Sequence, residues 1–342
     1  MKILVTGGCG FLGSHVCEYY RNHGEEVVSL DNLTKHELMR TGYKVEDARL
    51  YNWNFLKKIG ARPVKGDISN KDDVIKLAKD CDYIIHTAAQ PAMTVSIEQP
   101  ELDLTTNVIG AFNVLDAARK FDVPIVNCST IHVYGNKINE TLEEGKTRYV
   151  RNTPTIDEDY PIMQGEITPL HTSKRAAELY VQAYVDTYGL EAATFRLTGM
   201  YGPRQFGGED HGWVANFVIR TMLKLPIKVF GTGKQVRDIL YASDAATAFH
   251  AFYKNRKSGI YNIGGGIERA ISLVECFKLI RKVAGIEQNV EFKETRAGDL
   301  WYFVCDITKA REKLDWAPRV SNEEGIGKLV EWVEANIHLF GG

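Results

Sequence analysis

A short apolar run that breaks into closely spaced glycines constrains this chain more than any other feature. Ile3–Thr6 is apolar and β-branched, and it leads directly into Gly7-Gly8-Cys9-Gly10-Phe11-Leu12-Gly13 before a segment of helical period over Gly13–His23. A strand that turns into a helix within so few residues needs glycine. Side chains there would block the tight turn, the packing of helix on strand, or the approach of backbone N–H groups to a pyrophosphate. The helix N-terminus adds partial positive charge. The second apolar run, Glu26–Leu30, ends at Asp31, about 20 residues beyond the turn, where a carboxylate can accept hydrogen bonds from ribose hydroxyls. A dinucleotide site is expected, and because the carboxylate repels a 2′-phosphate, NAD is favoured over NADP.

The same alternation continues through the first half of the chain. Pro63–Lys65, Tyr83–Thr87, Ile125–Ser129 and Ala192–Arg196 read as strands, and Lys71–Lys79, Asn107–Phe121 and Ser173–Tyr188 read as helices. This pattern predicts right-handed βαβ units, hence an α/β chain with a Rossmann-type doubly wound parallel sheet. After about residue 196 the alternation weakens and irregular stretches such as Tyr201-Gly202-Pro203 appear. The expected division is therefore 1–196 as NAD-binding domain, with a return segment over about 237–260. Residues 197–236 and 261–342 are expected to form a smaller α/β C-terminal substrate domain, with helices over Leu273–Ala284 and Gly325–Ile337. Thr34–Gly60 reads as a polar and aromatic insertion, a candidate lid or interface.

Charge and cysteine usage exclude several classes. Lys and Arg total 42 against 44 Asp and Glu, a net charge of −2, so no global field draws in nucleic acid. The 6 cysteines carry no Cys-x-x-Cys spacing, which suits a reducing compartment without a structural metal. No apolar run reaches about 18 residues and the chain opens on Lys2-Ile3-Leu4-Val5, so neither membrane span nor leader is expected and the cytoplasm is the default.

Further residues join the glycine turn: Asp67-Ile68 after a strand, His86-x-Ala88-Ala89, Asn107, Ser129-Thr130, Tyr134-Gly135, Lys174, Arg196, Tyr201-Gly202-Pro203, Arg237-Asp238 and Asp244. Together they resemble the extended short-chain dehydrogenase/reductases, the NAD-dependent nucleotide-sugar epimerases and dehydratases, over essentially the whole chain. Within that family, the segments Gln90–Ile97, Thr147-Arg148-Tyr149, Met200–Phe206 and Gly233–Asp238 resemble most the CDP-paratose (CDP-tyvelose) 2-epimerase branch. The resemblance implies a nucleotide-sugar substrate, CDP-, UDP- or GDP-linked. It places the cofactor against Gly7, Gly10, Phe11, Leu12, Gly13, Asp31, Asn32, Asp67, Ile68, Ala88, Ala89, Gln90, Asn107, Ser129 and Lys174. It places substrate against Gln90, Met93, Thr94, Thr130, Arg204, Gln205, Asn216, Arg237 and Arg296, with arginine suited to phosphate by its planar fork. Helices Asn107–Phe121 and Ser173–Tyr188 would pair with a second copy in a homodimer.

One position departs from the pattern. The family's Tyr-x-x-x-Lys pair places a tyrosine one helical turn before the lysine, and counting back from Lys174 gives Leu170. The general base is missing. Thr130 and Lys174 would still polarise the sugar oxygen, and His132 is the first candidate to carry the proton, since residues 130 and 132 of an extended segment share a face. His171 is the second candidate, and Tyr149 and Tyr201 are weaker ones. Transient oxidation and epimerisation is the leading expectation. A 4,6-dehydratase is disfavoured because Ile131-His132 follow Thr130 where dehydratases carry Asp-Glu, and Leu170 leaves open a non-catalytic NAD and nucleotide-sugar binding protein.

Overall fold

The alternation closes into a seven-stranded sheet in the computed structural model, which describes residues 1–34, 38, 41, 45–296 and 298–341, without the side chains of 45–49. The chain enters mid-sheet at Lys2–Thr6 and steps outward through Glu26–Asp31 to Arg62–Lys65. It then crosses back to pair Tyr83–His86 with the first strand and steps outward the other way through Ile125–Thr130, Ala192–Leu197 and Gly259–Ile263. Every one of these pairings is parallel, so Thr6, Asp31, His86 and Thr130 finish along one edge. The reversal between Lys2–Thr6 and Tyr83–His86 opens a crevice at that edge, the place where such sheets receive ligands.

Helices cover both faces, which is why strand residues such as Ile3, Leu4 and Val5 are all fully buried rather than alternating. On one face Phe11–Asn22 lies against Ala242–Asn255, joining Val16 and Tyr20 to Phe249 and Phe252. On the other, Lys71–Ala78, Ala111–Phe121 and Pro169–Tyr188 bring together Val74, Leu115 and Val181. A second core, including Val218, Ile219, Ile280 and Leu329, lies among Trp213–Met222, Leu273–Ala284 and Asn322–Ala335. Beside it, Val236–Tyr241 pairs with Gly199–Tyr201, Ala270–Ser272 and Tyr302–Phe303.

Three local expectations differ from what forms. Residues 236–241 belong to the smaller sheet, and the chain rejoins the main sheet through Ala242–Asn255 and Gly259–Ile263, whose Tyr261 and Ile263 are buried. A π-helical turn, Leu104–Gly110, precedes the helix Ala111–Phe121. Within Thr34–Gly60, residues 35–37, 39–40 and 42–44 lie outside the described residues, but Val45–Lys58 is a helix. Its buried Asn52 donates to Cys9 O at 3.0 Å, so this helix buttresses the glycine turn. Among the described residues no helix is long and apolar enough to cross a membrane, and no group of three or more His, Cys, Asp or Glu is placed to hold a metal ion. All six cysteines are buried.

Candidate active site

The glycine turn is as tight as the sequence requires. Gly7 has φ +70°, and a Cβ there would stand 2.7 Å from the backbone of Ala88; one on Gly13 would stand 2.2 Å from Gly7 O. Turn, helix and the loop after His86 thus meet without room for a methyl group. Asp31 accepts from Cys9 N at 2.9 Å and from Leu33 N at 2.8 Å, which fixes the carboxylate beside the turn. Asn32 donates to Asp67 at 2.9 Å. Burial opposes ionisation of Asp67, but hydrogen bonds from Asn32 and Ser69 outweigh it and hold the carboxyl below its usual range. Ile68 is buried against Gly110, while Leu12 is buried and Phe11 packs edge-on to His15.

Asn107, in the π-helical turn, ties the loop after Tyr83–His86 to the helix Pro169–Tyr188. Its Oδ1 accepts from Gln90 N at 2.9 Å, and its Nδ2 lies 3.0 Å from Gln90 O and 3.1 Å from both Asp103 Oδ1 and Ser173 Oγ. Gln90 folds back on Ala92 and Asp103. Lys174 donates to Cys128 O at 3.0 Å; burial lowers its pKa, and Cys128, Asp103 and Glu178 oppose that shift. Burial and Lys174 in turn push His86 down to about 3. Ser129, expected at the cofactor, gives its hydroxyl instead to Glu178 at 2.6 Å, because the buried Glu178–Arg196 pair needs every partner in reach.

Thr130 ends its strand and caps a 3₁₀ turn, Ile131–Tyr134, with Oγ1 accepting from His132 N at 3.2 Å. The extended geometry assumed for residues 130 and 132 is therefore absent, but the turn still brings the half-buried His132 ring to the site. Leu170 is buried and its N–H donates to Ser96 Oγ at 3.2 Å. The next residue, His171, meets His132 edge-on, with ring centroids 5.8 Å apart at 81°. Thr168 N donates to His171 Nδ1 at 3.0 Å, closing a capping box at the start of Pro169–Tyr188. His132 Nδ1 is buried with no hydrogen-bond partner among the described residues. Burial first, then Arg237 and His171, push its pKa down to about 3. Tyr149 stacks on Trp301 and accepts from Thr232, and Tyr201 packs against Gly325 and Tyr241 with its hydroxyl buried and without a hydrogen-bond partner among the described residues.

A cluster of charge completes the site. Arg237 and Arg296 both act on the half-buried Asp299, and Arg296 lies over the Phe230 ring and bonds Glu209 O. Thr94 Oγ1 is buried with no partner among the described residues, and Met93 lies near Gly298. Arg204 does not join this cluster as expected. Its left-handed backbone (φ +66°) turns the guanidinium onto Ser14, His15 and Glu18 of the glycine-turn helix. Asn216 Oδ1 accepts from Arg220 and Gln205 Nε2 donates to Met200 O, while Gln205 Oε1 is buried with no partner among the described residues.

Comparison with known proteins places this geometry. Residues 3–264 match the model of the NAD dependent epimerase/dehydratase family. The chain belongs to that family. Among its relatives, a CDP-paratose 2-epimerase of Salmonella typhi is 34% identical, covering 98% of this chain and all (100%) of the relative. A dTDP-glucose 4,6-dehydratase of Salmonella typhimurium is 26% identical, covering 98% of this chain and 93% of the relative. A UDP-glucose 4-epimerase of Thermus thermophilus, solved with NAD, superposes with a TM-score of 0.79 at 32% identity, covering 98% of this chain and 99% of that one.

For a member of this family, sequence reasoning missed four groups that shape the site. Asn52 braces the glycine turn, and Glu178 anchors Ser129. Asn139 accepts from Trp301 N and donates to Asp299 O, both at 2.8 Å, holding Asp299 between the arginines. Only Asp299 left a readable signal, the short spacing Arg296-x-Gly298-Asp299.

Proposed function

We propose that this chain is an NAD-dependent epimerase of a nucleotide-activated sugar. NAD fits the first half of the site: a cradle closed to any Cβ at Gly7 and Gly13, a helix N-terminus, and a carboxylate fixed at Asp31. Gly10, Phe11, Leu12, Asn32, Asp67, Ile68, Ala88, Ala89 and Lys174 complete that set in our reading, with Gln90 and Asn107 shaping its wall. Bound NAD would accept a hydride from a sugar carbon and return it. Thr130 and Lys174 polarise the sugar oxygen, while Arg237 and Arg296 hold the diphosphate of a CDP-, UDP- or GDP-sugar, and Met93 and Thr94 line the sugar's path. The same proposal assigns 197–236 and 261–342 mainly to the nucleotide-sugar side.

The observation that carries epimerisation over dehydration is the turn after Thr130. Expelling water needs an acid at the leaving oxygen. Here position 131 is a buried isoleucine and position 132 an imidazole flanked by His171 and Arg237. Incubation with CDP-, UDP- and GDP-sugars should give an epimer of unchanged mass. A product lighter by one water would favour the dehydratase, and binding without turnover, the outcome Leu170 favours, would make the chain a non-catalytic sensor. We also read a homodimer, supported by Ile109, Leu179 and Tyr180, which are exposed on the helices expected to pair, and place it in the cytoplasm.

A further inference from the structure

We infer that the two imidazoles beside Thr130 divide the work of the absent tyrosine: His132 carries the sugar hydroxyl's proton, and His171 is a positioning residue that holds His132 for it. The inference rests on the epimerase reading above.

Leu170 has no proton to exchange, and its backbone N–H is already committed to Ser96. His171 stands next to it, but its chemistry is spent on the helix cap. An Nδ1 that accepts the Thr168 N–H must carry its ring proton on Nε2, so the neutral ring keeps no free lone pair and cannot act as a base. What it offers is a fixed edge. His132 packs against that edge at 81°, and its backbone N–H donates to Thr130 Oγ1, so the residue is fixed beside the hydroxyl expected to meet the sugar while the edge of His171 orients its ring. Its Nδ1, buried with no partner among the described residues, marks a ring whose polar capacity the folded chain leaves unused.

In the step assigned to it, the sugar carbon releases its hydride to the bound cofactor as the O–H bond breaks. That bond's electron pair becomes the second C–O bond, and the proton passes to the imidazole lone pair. When the hydride returns, the proton goes back to oxygen, so neither is gained or lost over a turnover. Arg237, from the strand Val236–Tyr241, and His171, from the helix Pro169–Tyr188, are the charged and titratable groups that act on His132. With its pKa near 3, the ring is too weak a base at neutral pH. A nucleoside diphosphate seated on Arg237 offsets the guanidinium's charge, the second cause after burial, so ligand binding raises the ring's pKa and strengthens the base.

Two measurements on the purified full-length protein test this. Nitrogen NMR of ¹⁵N-histidine-labelled protein should show His171 protonated on Nε2, and the pKa of His132 rising by about one unit or more when CDP, UDP or GDP binds. His171 protonated on Nδ1, or a His132 pKa that a bound diphosphate leaves unmoved, overturns the assignment. In kinetics with a sugar the unaltered chain turns over, His132→Gln should lower kcat about 10²–10⁴-fold with KM little changed, and added imidazole should restore part of it. His171→Gln keeps a capping-box side chain but removes the ring. It should lower kcat by up to about 10²-fold and shift the pH profile, where a purely structural role would leave both as in the wild type. Wild-type turnover with an unimpaired His132→Gln variant overturns this inference alone, whereas no turnover by the wild type overturns the epimerase reading and this with it.

Discussion

Replacing Glu178 by Gln should destabilise the chain far more than one lost surface charge would. The Glu178 carboxylate is fully buried and meets Arg196 at 3.0 Å through both Nε and Nη2, while Ser129 and Arg175 reach it at 2.6 and 2.8 Å. Glutamine leaves the Arg196 guanidinium, whose side chain is 3% exposed, with only neutral partners such as Tyr134 OH at 3.0 Å. Breaking one side of a buried pair costs roughly 3–5 kcal/mol, and the amide oxygen can still accept one bond, so we expect about 3 kcal/mol, a fall in melting temperature of roughly 4 °C. Replacing both charges with apolar groups, Glu178→Leu with Arg196→Met, should recover most of the loss, since the desolvation of two ions disappears with them. Calorimetry on the wild type and the two variants decides the matter. A single variant that melts within about 2 °C of wild type, or a double variant no better than the single, would refute the claim that this pair is held by mutual necessity.

Gly13→Ala should abolish copurification of NAD, measured by mass spectrometry of released small molecules. Its Cβ would stand 2.2 Å from Gly7 O, and overpacking of roughly 1–3 kcal/mol or more outweighs the gain of about 1 kcal/mol in helix propensity. Burial keeps His15 and His86 neutral in the fold, whereas the unfolded chain takes up protons near pH 6.5, so their contribution is complete above that pH and drains as pH falls below it, for His86 toward about 3. Urea midpoints should therefore drop between about pH 7 and about pH 5, by up to ~1.4 kcal/mol per unit for each ring, and His86→Gln should flatten the slope. Leu179→Glu, at a side chain 53% exposed on the helix expected to pair, should convert a dimer to a monomer in light scattering; an unchanged mass would remove that face from the interface.

Most of the sheet was legible because its strands announce themselves twice, by apolar runs and by the helical segments between them. The strand Gly259–Ile263 escaped because it follows irregular sequence and has no apolar run of its own; only its pairing with Ala193–Leu197 makes it a strand. The helix Val45–Lys58 escaped because its contacts are divided between a buried Asn52 at the glycine turn, the core residue Leu56 and aromatic side chains turned to two different cores, so no single hydrophobic stripe advertises it.

The site divides the same way. Residues whose role lies in the backbone, such as Gly7 and Gly13, are readable because glycine has few other reasons to stand there. Arg204 and Ser129 are not: the type of side chain says what it can bond, but a positive φ and a buried carboxylate decide what it does bond. His132 shows both halves of the lesson. Period-two reasoning placed it correctly beside Thr130 through a geometry that does not occur, since the segment is a 3₁₀ turn. What makes it the better candidate over His171 is tautomer and partner: one ring spends its acceptor on a helix cap and the other leaves a nitrogen unspent. No spacing rule reads that, because the capping bond and the empty nitrogen exist only once Thr168, Leu170 and Arg237 have been folded around the two rings.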